Sequence, residues 1–216
     1  MVAEEFLSDH IIPLKRSDLC EAAISFMHEA KVVEMPVVEQ GKLLGYLNID
    51  EALKKQGKTV GQTMNSKLFF VPTDTHLFDV ARLMYDLQVA TVAVCDQNQA
   101  YKGAIALNDL LKAFSQHTAN SLPGTIVTLE MLPRDYSLTE LSRLTESNDF
   151  KIIGVFVRNS ENNKLEVNLK FNSTEIKSVL HAFERYNYQI KAVHQLTEQD
   201  GDLNNRLNWL IKYINT

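Results

Sequence analysis

Two short stretches of this 216-residue chain put the same chemistry at the same spacing. In Gly45-Tyr46-Leu47-Asn48-Ile49-Asp50-Glu51, and again in Gly103-Ala104-Ile105-Ala106-Leu107-Asn108-Asp109, a glycine opens an apolar strand, a small or polar residue closes it, and a carboxylate follows. Where a strand runs directly into a helix, the first backbone N–H groups of the helix lack intrahelical partners and attract a phosphate. A carboxylate on that first turn can accept hydrogen bonds from two vicinal hydroxyls, as a ribose presents them. Acidic first-turn residues also complement the helix dipole in any helix; their occurrence twice, at matched positions, favours a shared ligand chemistry. Other chemistries find little support. Cys20 and Cys95 are isolated, and the six histidines are scattered without zinc-ligand spacing. No Ser or Cys nucleophile motif or Gly-rich phosphate loop is present, and no acid and base pair converges. Catalysis is not expected.

The two junctions belong to a longer repeat. Residues 18–53 recur as 75–111: Met27 and Met84, Val32 and Val89, and Val37 and Val94 stand 57 apart. After a one-residue insertion, Gly45 and Gly103, Leu47 and Ile105, Glu51 and Asp109, and Leu53 and Leu111 stand 58 apart. Leu19, Ala22, Ala23, Phe26, Met27 and Ala30 form one helix face, with Asp18 before it as an electrostatic cap. Residues 32–38 and 43–47 read as strands joined at Gln40-Gly41, and 50–53 restart a helix. The second copy follows suit, with 68–71 extended, 77–87 helical, 90–95 and 103–107 strands and 109–114 helical; Cys95 falls in this core as a small buried hydrophobe. One such unit cannot bury its apolar face alone, so the copies must pack together and form clefts between them.

Beyond residue 115 the pattern changes. After a polar linker, 125–131, 151–157, 165–171 and 188–193 read as strands and 138–147 and 174–186 as helices, with a polar turn at 159–163. That βαββαβ order predicts a split-βαβ, ferredoxin-like sheet with two helices on one face. A last amphipathic helix, about 203–214, carries Leu203, Leu207, Trp209, Leu210 and Tyr213, a face suited to covering an interface. The expected fold class is α/β (α+β), divided as 1–58 and 59–115 (the repeats), 116–123 (linker), 124–195 (βαββαβ domain) and 196–216 (final helix).

A hydrophobic content of 45%, a charged content of 23% and a net charge of −5 fit a soluble globular protein and offer no basic stripe for nucleic acid. The N-terminus is acidic where a secretory signal is basic, and no apolar run approaches the roughly 18 residues of a membrane span. A cytoplasmic location, no membrane and no nucleic-acid partner are expected.

The repeated helix ending in Met27 and Met84, the Met35-Pro36-Val37-Val38 strand and the Gly-h-h-Thr/Ser-x-x-Asp junction, where h is apolar, resemble the CBS (cystathionine-β-synthase) domain in tandem, over residues 1–115. The resemblance implies a non-enzymatic regulator that binds AMP, ADP, ATP or S-adenosylmethionine between the copies, with no cofactor or metal required. By that resemblance Asp109, beside Asn108, would hold the ribose in one cleft and Glu51 in the other. Asn48 and Ala106 stand where the family has Thr or Ser; Asn48 can donate to a phosphate and Ala106 cannot, and Glu51 sets its charge one methylene further out. The extended segments Ile11-Ile12-Pro13 and Phe70-Val71-Pro72, with Pro36, line the adenine pockets through Ile12, Val71 and Pro36, or serve as core. Lys15, Arg16, Lys42 and Lys102 either meet phosphates or are solvated. Residues 124–195 look like an ACT domain, a module that usually binds amino acids at a dimer interface. Its first strand-to-helix turn, Met131-Leu132-Pro133-Arg134-Asp135-Tyr136-Ser137-Leu138, lacks the family's glycine, so Ser137 or Asp135 reads as a helix cap and the domain as a homodimerisation module. The combination resembles proteins associated with acetoin utilisation. The alternative is a structural adaptor with empty, degenerate clefts.

Overall fold

A computed structural model describes residues 1–117 and 119–195, which fall into two compact units divided after Ser115. The predicted final helix lies outside the described residues.

In the first unit, α1 (Cys20–Ala30) precedes the antiparallel hairpin of β1 (Glu34–Glu39) and β2 (Lys42–Asn48), which runs into α2 (Ile49–Lys54). The second copy places β3 (Phe70–Pro72), α3 (Leu77–Leu87), β4 (Thr91–Cys95), β5 (Tyr101–Ala106) and α4 (Leu107–His117) in the same order. Equivalence reaches single hydrogen bonds. β3 pairs parallel with β4 through Val71 and Val94, while the first copy reduces its leading strand to one parallel bridge between Leu14 and Val37, each 57 residues earlier. Both hairpins bulge at the same place, after Val37 and after Val94. α1 and α3 end on left-handed residues, Lys31 and Gln88, each with φ of 55°.

The short stretches that head the two repeats are exchanged. Residues 1–8 hydrogen bond to the second copy: Ala3 N–H to the Thr75 carbonyl, Glu4 N–H to Thr73 and Ser8 N–H to Ala104, with Leu77 N–H to Met1. Residues 58–65 make the same contacts with the first copy: Val60 N–H to Asp18, Gly61 N–H to Arg16, Asn65 N–H to Tyr46, and Cys20 N–H to Lys58. Core packing agrees, since Ala3 is buried with Leu77, Val80, Met84 and Val92, whereas Val60 is buried with Cys20, Ala23, Met27 and Leu47. The N-terminal arm gives the second copy what the inter-repeat arm gives the first.

Two expectations change in detail. Leu19, not Asp18, is the N-cap of α1, and the Asp18 carboxylate accepts the Lys15 N–H at 2.7 Å, closing the preceding turn instead. α4 continues past Phe114 to His117, because its amphipathic period runs on into the stretch read as linker.

In the second unit, β6 (Thr125–Met131), α5 (Leu138–Glu146), β7 (Ile152–Asn159), β8 (Leu165–Phe171), α6 (Lys177–Arg185) and β9 (Gln189–Gln195) form one antiparallel sheet in the order β7-β8-β6-β9. β8 is thus inserted between β6 and β7. Val127, Leu129, Val167, Leu169 and Phe171 alternate along the two central strands and bury one sheet face with Leu141, Leu144, Val179 and Phe183 of the helices. Ser137 caps α5, its hydroxyl accepting the Glu140 N–H at 3.3 Å. The helix read over 174–186 starts only at Lys177; the Ser173 hydroxyl accepts the Glu175 N–H in the turn before it.

Candidate functional site

Both repeated junctions have the expected form, a strand passing directly into a helix, and they differ in how their polar groups are used. Asn48, extended at φ −93° and ψ 145°, caps α2 by accepting the Asp50 N–H at 2.9 Å. Glu51 on the first turn is half exposed and takes the Lys54 ammonium at 3.0 Å. That hydrogen bond and charge hold its carboxyl below the usual range. In the second copy Ala106 is buried, with 5% of its surface exposed, and offers no side-chain cap, while Asn108 is exposed. Asp109 sits partly buried on the first turn of α4 and carries no ion pair among the described residues. Asp109 is the uncommitted carboxylate of the two.

The predicted walls separate. Ala106 and Ala104 pack in one cluster with Ile11, Met35 and Val37, so the second junction lies against the first copy's β1, where Pro36 is buried. Ile12 beside it is 71% exposed. Val71 is 4% exposed and packs with Leu77, Val80 and Val92 in the second copy's core. The 57-residue offset pairs Val71 with Leu14 and Ile12 with Phe69, so Ile12 and Val71 are not equivalent positions. Of the nearby cations, Lys102 is taken by Asp96 at 3.0 Å, whereas Lys15, Arg16 and Lys42 are exposed.

Three residues between the copies escape a reading based on the shared pattern. The Glu34 carboxylate accepts the Ala90 N–H at 2.9 Å and the Thr91 N–H at 3.4 Å, and burial raises its pKa. Tyr46 stacks on Phe69 with ring centroids 3.9 Å apart and planes 1° from parallel. Its hydroxyl donates to the Phe69 carbonyl at 2.7 Å and accepts the Ala93 N–H at 2.9 Å. The signal for these contacts lies where the repeats disagree, since Glu34 stands opposite Thr91 and Tyr46 opposite Ala104.

In the second unit, a cleft of about 590 Å³ opens at the turn from β6 to α5, lined by Arg134, Asp135, Ser137, Glu140, Lys164 and Tyr186 among others. On the sheet, Glu166 has 3% of its surface exposed and is gripped by Lys191 and Arg158, whose Nε lies 2.6 Å from the carboxylate. Among the described residues, no three His, Cys, Asp or Glu side chains gather as a metal site, and no helix is long and apolar enough to cross a membrane.

Comparison with known proteins finds the family described as CBS domain matching twice, over residues 2–58 and 60–116. An uncharacterized protein of Methanocaldococcus jannaschii is 24% identical over 132 residues, covering 59% of this chain and 50% of its own length. The magnesium transporter MgtE of Thermus thermophilus is 34% identical over 76 residues, 35% of this chain and 17% of the transporter. The CBS domain-containing protein YhcV of Bacillus subtilis is 29% identical over 126 residues, 55% of this chain and 89% of YhcV. The chain thus spans half or less of the length of the first two relatives. Among solved structures, CBSX2 in complex with AMP is 23% identical with a TM-score of 0.48, covering 54% of this chain and 97% of that one. A CBS domain pair/ACT domain protein of Thermotoga maritima is 20% identical with a TM-score of 0.49, covering 54% and 98%.

Proposed function

Because the chain belongs to the CBS domain family, with matches over both repeats, we propose that it is a non-enzymatic regulatory protein whose repeat pair binds an adenine nucleotide or related adenosine ligand. The doubled strand-to-helix junction carries this reading. What supports an anion and diol site at Asp109 is the start of an 11-residue helix, whose Leu107 N–H is taken by the Ala90 carbonyl, with a first-turn carboxylate that makes no ion pair among the described residues. Asp109 holds the ribose there, beside Asn108 and Ala106 and against the Ile12 and Pro36 segments of the first copy. Asn48 and Glu51 form the other junction, already tied up by a cap and an ion pair. The protein acts in the cytoplasm.

Isothermal titration with AMP, ADP, ATP and S-adenosylmethionine tests the reading. At least one binds with a dissociation constant below a millimolar, and Asp109→Ala removes the heat while leaving the circular dichroism unchanged. At 100 times its dissociation constant the ligand stabilises the fold by about 2.7 kcal/mol. Silence for all four at millimolar concentration leaves the adaptor with empty clefts, which Ala106 in place of a hydroxyl residue favours.

The second unit, ACT-like in its βαββαβ order, joins two chains. Light scattering at micromolar protein is expected to give twice the 24.5 kDa chain mass; a monomer removes this part of the proposal.

A further inference from the structure

The most informative departure from two-fold equivalence is Tyr46. Along β2 side chains alternate, so Leu47 enters the first copy's core while Tyr46 and the junction residue Asn48 turn to the opposite side, toward the second copy. Tyr46 is 4% exposed and spans the boundary between the copies, packed with Leu43, Ala93, Cys95 and the Phe69 ring. What the phenol satisfies there is specific: one backbone carbonyl, of Phe69, and one backbone N–H, of Ala93, with an aromatic face laid flat on a second ring. A carbonyl and an N–H side by side are complementary to the adenine edge, whose amino group donates and whose N1 accepts, and a ring face is what a base stacks on. In the other copy the position is Ala104, whose methyl reaches none of these groups. The counterparts of Phe69 and Ala93 are Ile12 and Pro36 (69 − 57 and 93 − 57), neither aromatic and the latter without an N–H to read a base.

We infer that Tyr46 is a built-in occupant of the cleft on the Glu51 side: its phenol holds the stacking face and the two backbone groups that a nucleobase would take, so this chain has one working ligand cleft, on the Asp109 side. The inference rests on the nucleotide reading and sharpens it. Base recognition in the working cleft relies on apolar contact with Ala104, Pro36 and the Ile11-Ile12 segment rather than on a paired backbone edge. A purine ring there is held with less discrimination between adenine and other purines than the Tyr46 side would allow if emptied.

The test is the number of AMP molecules bound per chain, read by isothermal titration. The wild type takes one. Tyr46→Ala takes two, and the second is lost again in Tyr46→Ala/Glu51→Ala, which places it on the Glu51 side. Tyr46→Ala/Asp109→Ala keeps one, with the preference for AMP over GMP higher than in the wild type. If Tyr46→Ala does not fold, Tyr46→Val removes the ring and frees both backbone groups while filling more of the space, and at millimolar AMP it shows a second, weaker equivalent. Two equivalents in the wild type, or one in a folded Tyr46→Ala or Tyr46→Val, overturn the occupant while leaving nucleotide binding standing. No binding by the wild type or any variant shows that the nucleotide reading itself has failed, and the inference falls with it.

Discussion

The glycines that open the two junction strands look interchangeable in sequence and are not so in space. Gly45 has φ of 150°, and a Cβ added there would lie 2.0 Å from the Asn65 backbone oxygen, which the neighbouring Tyr46 N–H already uses. Gly103 has φ of 159°, but the nearest atoms its Cβ would meet belong to the Leu7 side chain, at 3.1 Å. Gly45→Ala is therefore expected to cost more than about 3 kcal/mol in urea unfolding and Gly103→Ala about 1–2 kcal/mol, since a leucine tip can move and a paired carbonyl cannot. Glu166 gives a prediction in pH. Hydrogen bonds from Lys191 and Arg158 lower its pKa to about 2. An unfolded glutamate titrates near about 4.3, so the folded chain binds this proton less readily and the ionised pair stabilises the fold above that pH. That stability is lost as pH falls through about 4 toward 2. Thermal melts should show Glu166→Gln below the wild type at pH 7, with the gap closing across that acid range. At this scale the sequence was legible where both repeats agree, as in the buried pairs Met27 and Met84 and Val37 and Val94, and where a cap is local, as with Ser137. It was opaque where one repeat departs, because Tyr46 and Glu34 act on partners 23 to 57 residues away that no local pattern names.

Elements were easier to read. Thr125–Met131, Leu165–Phe171 and Leu77–Leu87 fall at the limits their periodicity sets, because each is bounded by a turn or cap and has one buried face. The exchanged arms were not readable, since a repeat in sequence tells which segments are equivalent and not which copy each one touches. Removing residues 2–7 should therefore weaken the distant copy. Amide exchange is expected to quicken in α3, β4 and β5, whose core loses Ala3, Phe6 and Leu7, while α1 and β1 keep their protection. Faster exchange in α1 instead would mean the arm serves the copy it precedes.

On the scale of the whole molecule, the division after Ser115 separates a unit proposed to bind from a unit proposed to assemble. Residues 1–117 expressed alone should bind AMP with the affinity of the full chain and scatter as a monomer, with dimerisation following the remainder; loss of binding in the fragment would tie the two activities together. The arm exchange also has a consequence for synthesis. Val2 bridges His76, so 74 residues (76 − 2) must leave the ribosome before the first arm meets its partner. At roughly 5–20 residues per second that is a wait of several seconds to about 15 s. Meanwhile the first copy can already hold its own downstream arm, residues 58–65. The arm is made well before the segment it must find, and in a crowded polysome a neighbouring nascent chain can reach the vacant second copy first, linking two molecules by the same contacts that finish one.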